Sequence, residues 1–365
     1  MKASTLIISA LLMLTFSSCT QNVQNTILDS FKDAPKMELF KVFHFLYEKE
    51  YDLNSEEAVS RYKVFKQNVK KIDETNAQNL PYQLGINKFT DLTAEEFQQL
   101  YLVAPEVRKG MLKKSIRNLR EEGFFDLNAD KDDEDRDELI ILDGRTVAFT
   151  PVDWTSRLGL PRDQGKCGSC WTFSLTAVVE AAYAKKTGVV QPYLSTQQLV
   201  DCDLTDGGCN GGDFYNGINY IKKNGLLNDS LYPYVAVANT CVAKITFTNT
   251  KKITGFRLCS NYWGGATNAC SETKVYNLLA MGPISVGIDG SVIQSYRSGI
   301  FTGTCREDNH AVTVVGYGIA SGVEYFIVRN SWGINYGESG HIRIARNLAN
   351  KSSCFLTNEA YIPLV

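Results

Sequence analysis

Residues 163–174 read DQGKCGSCWTFS. Cys167 and Cys170 stand three apart beside Trp171, a spacing that serves a metal site, thiol redox exchange, a disulfide or a nucleophile. A zinc site needs about four ligands, yet the cysteine-rich part of the chain offers only His310 and His341 and no second CxxC. A thioredoxin-type pair wants a strand before it in a βαβ context, whereas PRDQGK at 161–166 is turn-like. What fits is one cysteine for a disulfide and one for nucleophilic attack, with no metal and no cofactor.

Cys170 opens a stretch that reads as a helix with its apolar residues on one side. The stretch carries Lys185 and Lys186 at its end and stops at Gly188. The free amides and dipole of a helix start favour a thiolate there. Cysteine parity agrees. Cys19 lies near the N-terminus, and nine cysteines follow residue 160, so one of the nine is left without a partner.

A nucleophilic cysteine needs a base, usually histidine. His310 starts HAVTVVGYG, which turns near Ala320 and Ser321 and returns as VEYFIVRNSW. In a hairpin centred there, position 310 lies opposite about 331, which brings Asn330 beside the imidazole. His341, in GHIRIAR, reads as a solvated strand residue.

Working outward, MKASTLIISALLMLTFSSCT (1–20) has a basic start, an apolar run from Leu6 to Phe16 and small residues after it. This is a signal-peptide pattern, and the run is too short for a membrane span. Overall charge is -2, which gives no argument for nucleic acid. From Pro151 onward there are 18 Lys/Arg against 15 Asp/Glu, leaving 20 and 25 before it. An acidic N-terminal piece and a mildly basic C-terminal piece are charge-matched for packing together.

The stretch from Lys36 to Tyr101 is polar, helical and free of cysteine. Glu57, Arg61, Phe65, Asn68, Ile72 and Asn76 recur at helical steps; polar residues in such a stripe predict a face that docks on something specific. GINKFTD (85–91) reads as a short strand or extended turn. From Pro105 to Arg145 the composition becomes acidic and poor in aromatics, which predicts a mobile linker. Asp126, Asn128 and Asp130 brush against a calcium-loop pattern, but Lys131 stands where that loop needs glycine. Helices first and strands later in the cysteine-rich zone predict an α+β fold of two packed lobes with a cleft between them.

These motifs together resemble the papain family of cysteine peptidases, in its cathepsin L-like branch. CGSCW resembles the active-site signature. GCNGG (208–212), GPISV (282–286), HAVTVVGYG (310–318) and NSWG (330–333) continue the likeness. The helical stripe is similar to the ERFNIN propeptide motif, and GINKFTD to GxNxFxD. The resemblance implies a helical left lobe and a β-barrel-like right lobe behind a mainly helical propeptide. With the signal-peptide pattern at 1–19, it implies an inhibitory propeptide at 20–146 ending in the acidic linker and a mature domain at 147–365. It also implies a cysteine endopeptidase made as an inactive precursor and activated by propeptide removal at acid pH.

By the same resemblance Cys170 is the nucleophile, His310 the acid/base, Asn330 the group orienting it and Trp332 the indole shielding that contact. Gln164 matches the oxyanion-hole glutamine. Cys170 and His310 are expected as a thiolate–imidazolium pair. The family pattern implies bridges Cys167–Cys209, Cys202–Cys241 and Cys305–Cys354; a further Cys259–Cys270 bridge in an apparent insertion is our own inference. The propeptide is expected to run backwards through the cleft, with Asp91 as a proton-sensitive anchor. The second subsite, which takes the side chain two before the scissile bond, falls to Asp213, Phe214, Gly287, Asp308, Ala311 and Glu359, with Gly212 pairing the substrate backbone. Three of these positions are acidic, from which we expect arginine or lysine to be accepted beside bulky apolar side chains. Against this, Asp213 and Asp308 could simply face solvent. Asn309 stands where the family usually has aspartate, Tyr336 where it has a second tryptophan, and Phe355 where glycine is usual.

The expected partners are peptide or protein substrates and the chain's own propeptide, with the protein a monomer in the secretory pathway, in a lysosome, a digestive vacuole or outside the cell. Asn228 and Asn350 head glycosylation sequons. A peptide ligase or an exopeptidase on the same fold, and a non-catalytic binder derived from a peptidase, are the alternatives.

Overall fold

The computed structural model describes residues 21–121, 151–242, 250–260, 270–346, 354, 356 and 358–365. The signal segment, the acidic linker with its calcium-like residues, the boundary near 147, the middle of the 259–270 insertion, Asn350 and Phe355 lie outside the described residues.

Helices α1 (Gln21–Ser30), α2 (Lys36–Leu46) and α3 (Glu56–Asn76) form the N-terminal unit. Its core is aromatic: Phe40, Phe43 and Phe65 are buried, with ring centroids 4.9–6.1 Å apart. Ser55 caps α3 by accepting from the Ala58 amide. The polar stripe of α3 does dock, and its target is the following segment of the same unit. Arg61 holds Glu96 at 2.8 Å, Asn68 donates to the carbonyls of Thr90 and Leu92, and Asn76 bonds both the amide and the carbonyl of Leu84.

Strand β1 (Tyr82–Leu84) pairs antiparallel with β5 (Tyr296–Phe301), so the N-terminal unit extends the sheet of the C-terminal one. GINKFTD is the turn after that strand. Helix α4 (Ala94–Tyr101) starts at a capping box between Thr93 and Glu96. Helix α5 (Pro105–Glu121) corrects the linker expectation, whose first residues are helical. Pro105 suits the first helical position. Arg108, Met111 and Ser115 recur at steps of three and four and present one face to the C-terminal unit.

Helix α6 (Cys170–Thr187) ends on Gly188 in the left-handed region at φ 76°. It is not one-sided as expected. Every residue from Cys170 to Ala181 is buried, because the helix is wedged between the sheet and the helices α7 (Thr196–Cys202) and α8 (Phe214–Asn224). Trp171, Leu175 and Val179 pack into the helical lobe; Ser174 on another face donates to Val312 of the sheet.

The second lobe holds β2 (Val152–Asp153), β3 (Gly255–Ser260), helix α9 (Glu272–Met281), β4 (Ile284–Ile288), β5, β6 (His310–Ala320), β7 (Val323–Arg329), β8 (His341–Ala345) and β9 (Glu359–Leu364). The nine-stranded sheet runs β1-β5-β8-β7-β6-β4-β9-β3, with β2 also on β6. Its described strands form an open path with β1 and β3 at the ends, so the lobe is a curled sheet and not a closed barrel. All four expected disulfides are formed, including Cys259–Cys270 between β3 and the start of α9, and Cys170 is the free cysteine among the described residues.

Candidate active site

The site lies where the first residue of α6 meets the first residue of β6. A bulge between Val314 and Gly316 shifts the β6–β7 register by one. Thr313 faces Arg329; continued outward, that register sets position 332 across from 310, one step beyond the expected partner. Asn330 still reaches the ring: its Oδ1 lies 2.8 Å from His310 Nε2. Trp332, buried at 1% exposure, stacks on the imidazole at 4.7 Å. His310 Nδ1 has no hydrogen-bond partner among the described atoms and is the nitrogen left to exchange a proton with the thiol. Cys170 Sγ accepts from the Ala311 amide at 3.4 Å and shares a cavity with His310.

Gln164 is held rigidly. Ser331 Oγ donates to its Oε1 at 2.6 Å, which turns the amide nitrogen outward, and its own carbonyl accepts from Tyr234. The nitrogen donates to the Cys167 carbonyl and, at 3.0 Å, to the Tyr101 carbonyl of the N-terminal unit. A backbone carbonyl thus occupies the amide nitrogen that the sequence reading expected to serve an oxyanion. Two residues on, the Val103 amide donates to the Asn309 carbonyl. Asn309 itself is fully used: its Oδ1 accepts from Gly290 and its amide nitrogen donates to Ser291 and Glu307.

The N-terminal unit therefore runs through the cleft. Phe89 and Phe97 meet Trp332 edge-on at 5.3 Å, and Asn87 donates to Gln294. Lys88 pairs with Asp163, and Arg297 holds Asp29 through two bonds. Asp91 is buried at 1% exposure, with Lys49 at 2.7 Å and the Tyr51 hydroxyl at 2.9 Å, so it is a true anchor of this unit. Burial pushes the Lys49 ammonium down, against the pull of Asp91.

Burial also sets the charge state of the central pair. Desolvation pushes the Cys170 thiol up to about 11, despite the Ala311 and Trp171 amides, and pushes His310 down to about 4. Both directions favour the neutral forms at neutral pH. The thiolate–imidazolium pair expected from the sequence does not belong to this covered form. The test is alkylation of Cys170. In the full chain its iodoacetamide rate should climb only in the alkaline range. Once the N-terminal unit is removed and water reaches the pair, the thiol should react readily at pH 6–7.

The residues expected at the second subsite gather around the side chain of Arg108. Its guanidinium contacts Asp213 at 3.1 Å, Asp308 at 3.2 Å and Glu359, with the Phe214 ring 5.9 Å away. Asp213 and Asp308 do not point to solvent: their side chains are 0% and 10% exposed. Gly287 lies under Asp308, where a Cβ would come within 2.1 Å of its carboxylate. Gly212 packs on Trp171, and with Ala311 it lines the same cavity as Cys170 and Arg108. His341 is a correction: it is half-buried, with Nδ1 3.0 Å from the Ser339 carbonyl, and takes no part in the site. Tyr336 fills the space of the missing tryptophan, buried against Trp332 at 4.8 Å with its hydroxyl on the Ile293 carbonyl.

Residues 150–364 match the family model described as papain family cysteine protease, and residues 40–97 match the cathepsin propeptide inhibitor domain. The chain belongs to the papain family of cysteine proteases. It is 38% identical over 315 residues to the germination-specific cysteine protease 1 of Arabidopsis thaliana, covering 83% of this chain and 77% of that one. It is 34% identical to a cathepsin L-like proteinase of Phaedon cochleariae, covering 91% and 95%. Among solved structures, a recombinant stem bromelain precursor superposes with a TM-score of 0.72 at 30% identity, covering 91% of this chain and 99% of that one. The ragweed pollen protease Amb a 11 in its proform gives 0.72 at 30%, covering 90% and 94%. The N-terminal unit is accordingly the propeptide of a cysteine protease zymogen.

Sequence reasoning missed Tyr101, Val103, Arg108, Ser115 and Ser331. Of these, Ser331 had a visible signal, since it lies inside NSWG. The others sit in or beside a stretch assigned to a linker by its composition.

Proposed function

We propose that this chain is a self-restrained cysteine endopeptidase in which Cys170 attacks a peptide carbonyl, His310 carries the proton and Gln164 stabilises the oxyanion. The observation that supports this best is the propeptide carbonyl of Tyr101 seated on Gln164, with Val103, two residues on, lining the cavity that holds Cys170 and His310. In the open enzyme, the Cys170 thiolate adds to the carbonyl carbon and the oxyanion faces the Gln164 amide nitrogen and the Cys170 amide. The imidazolium then protonates the leaving amine, and water, deprotonated by His310, releases the acyl group. Asn330 keeps Nδ1 aimed at sulfur by holding Nε2, and Trp332 keeps water off that bond.

The polarity of the propeptide supports its role as inhibitor and not substrate. A substrate places its second-subsite side chain before the scissile bond. Here Arg108 follows the residues lying over Cys170, so the chain runs the opposite way and offers no bond in register for attack. The lid is held by ion pairs of Lys49 with Asp91, Arg61 with Glu96 and Lys88 with Asp163. The four disulfides suit an oxidising secretory route, and no described helix is long and apolar enough to cross a membrane.

Gln164→Ala tests the oxyanion assignment. It should lower kcat of the processed enzyme by roughly 10²–10³-fold with little change in KM. An unchanged kcat removes Gln164 from the mechanism.

A further inference from the structure

The propeptide face of α5 enters the cleft with a charge. Arg108 is 7% exposed, and its guanidinium lies among Asp213, Asp308 and Glu359, with Asp206 behind Asp213. Each carboxylate is delivered by a different element. Asp213 caps α8, accepting from the Tyr215 amide, and also accepts from Ser115 of α5. Asp308 precedes β6 and lies over Gly287 of β4, where only glycine leaves room. Glu359 starts β9, is fully buried, and keeps a second oxygen, Oε2, with no partner among the described residues.

Three carboxylates gathered around one guanidinium are costly to bury unless a cation sits between them. With the propeptide gone, an apolar side chain in this cavity would leave all three without a counter-charge. A guanidinium or ammonium on a flexible apolar stem restores the pairing that the zymogen shows, and the Phe214 ring offers its face to that cation.

We propose that Arg108 is the zymogen's own plug for this acidic pocket, and that the processed enzyme uses the same pocket to select peptides with arginine or lysine two residues before the scissile bond. This rests on the endopeptidase reading above. The propeptide inhibits by filling the specificity pocket with the kind of side chain that the enzyme seeks, on a backbone of reversed polarity. The same ion pairs thus serve restraint and selection.

The test uses the full chain activated by acid and two fluorogenic peptides that differ only in arginine or leucine at that position. The arginine peptide should be cleaved with kcat/KM at least equal to that of the leucine peptide. Glu359→Gln should lower the arginine-to-leucine ratio by roughly 10–100-fold, the scale of a lost charged hydrogen bond. Asp308→Asn, at the edge of the pocket, should lower it in the same direction and stands in if the buried variant does not fold. In the unprocessed chain, Arg108→Ala should leak activity at neutral pH that the wild type lacks. Cleavage of the leucine peptide alone, or a ratio unchanged in the folded variant, overturns the proposal and leaves the peptidase reading intact. Cleavage of neither peptide overturns both.

Discussion

Cys170→Ala abolishes peptide hydrolysis, with kcat falling by roughly 10⁶-fold, and the acidified chain keeps its propeptide. The size of the effect follows from the geometry. His310 Nδ1 has no other described partner, Asn330 holds the far nitrogen, and the Gln164 amide nitrogen donates to the Tyr101 carbonyl. Without sulfur no covalent intermediate forms, and what remains is binding plus an oxyanion donor aimed at nothing. Alanine is smaller than cysteine and Cys170 is fully buried, so the fold should survive; a thermal melt of the variant checks this. Two measurements decide the matter: the mass of the chain after acidification, and cleavage of a fluorogenic peptide after the propeptide has been cut away by another protease. Activity within tenfold of wild type in the second would place the nucleophile elsewhere.

Asp91→Asn is the second large expectation, and it acts on restraint and not on chemistry. Asp91 is buried between Lys49 and the Tyr51 hydroxyl, and its backbone carbonyl accepts from Arg61. Removing one partner of a buried ion pair costs roughly 3–5 kcal/mol, because the other charge stays buried. Lys49, already pushed down by burial, would be left with the Lys88 carbonyl. The loss falls on the turn that carries Phe89 onto Trp332. The propeptide should therefore let go at a pH where the wild type stays closed. In a Cys170→Ala background, which prevents self-cleavage, the variant should show an earlier thermal transition for the propeptide. With Cys170 present, activity should appear at neutral pH. A variant as stable and as silent as wild type would make Asp91 a bystander.

How much of this could be read without coordinates depended on the residue. Cys170, His310 and Asn330 were legible because each sits in a short motif and because odd cysteine parity marked one free thiol. The Cys259–Cys270 bridge was legible from parity as well, once six cysteines had been paired by resemblance. The α3 stripe was legible as a docking face, since polar residues at helical spacing need partners. Its target was not, because Thr90, Leu92 and Leu84 offer backbone carbonyls, which carry no side-chain signal.

The sequence by itself pointed to the family and, through that resemblance, to the pairing of six cysteines and the expected reacting groups, and it gave helices first and strands later in the C-terminal zone. Local propensity, periodicity and covalent chemistry are properties of short stretches. Only the tertiary structure decided the direction in which Cys170 and His310 are shifted, since both are desolvated by burial, in a cavity that Val103 and Arg108 of the propeptide also line. It also decided that α6 is buried on every face, that the sheet stays open, and that Arg108 lies among three carboxylates drawn from residues 213, 308 and 359. Each of these depends on groups brought together across long separations, where the energy lies in mutual exclusion of water and in charge pairing through space.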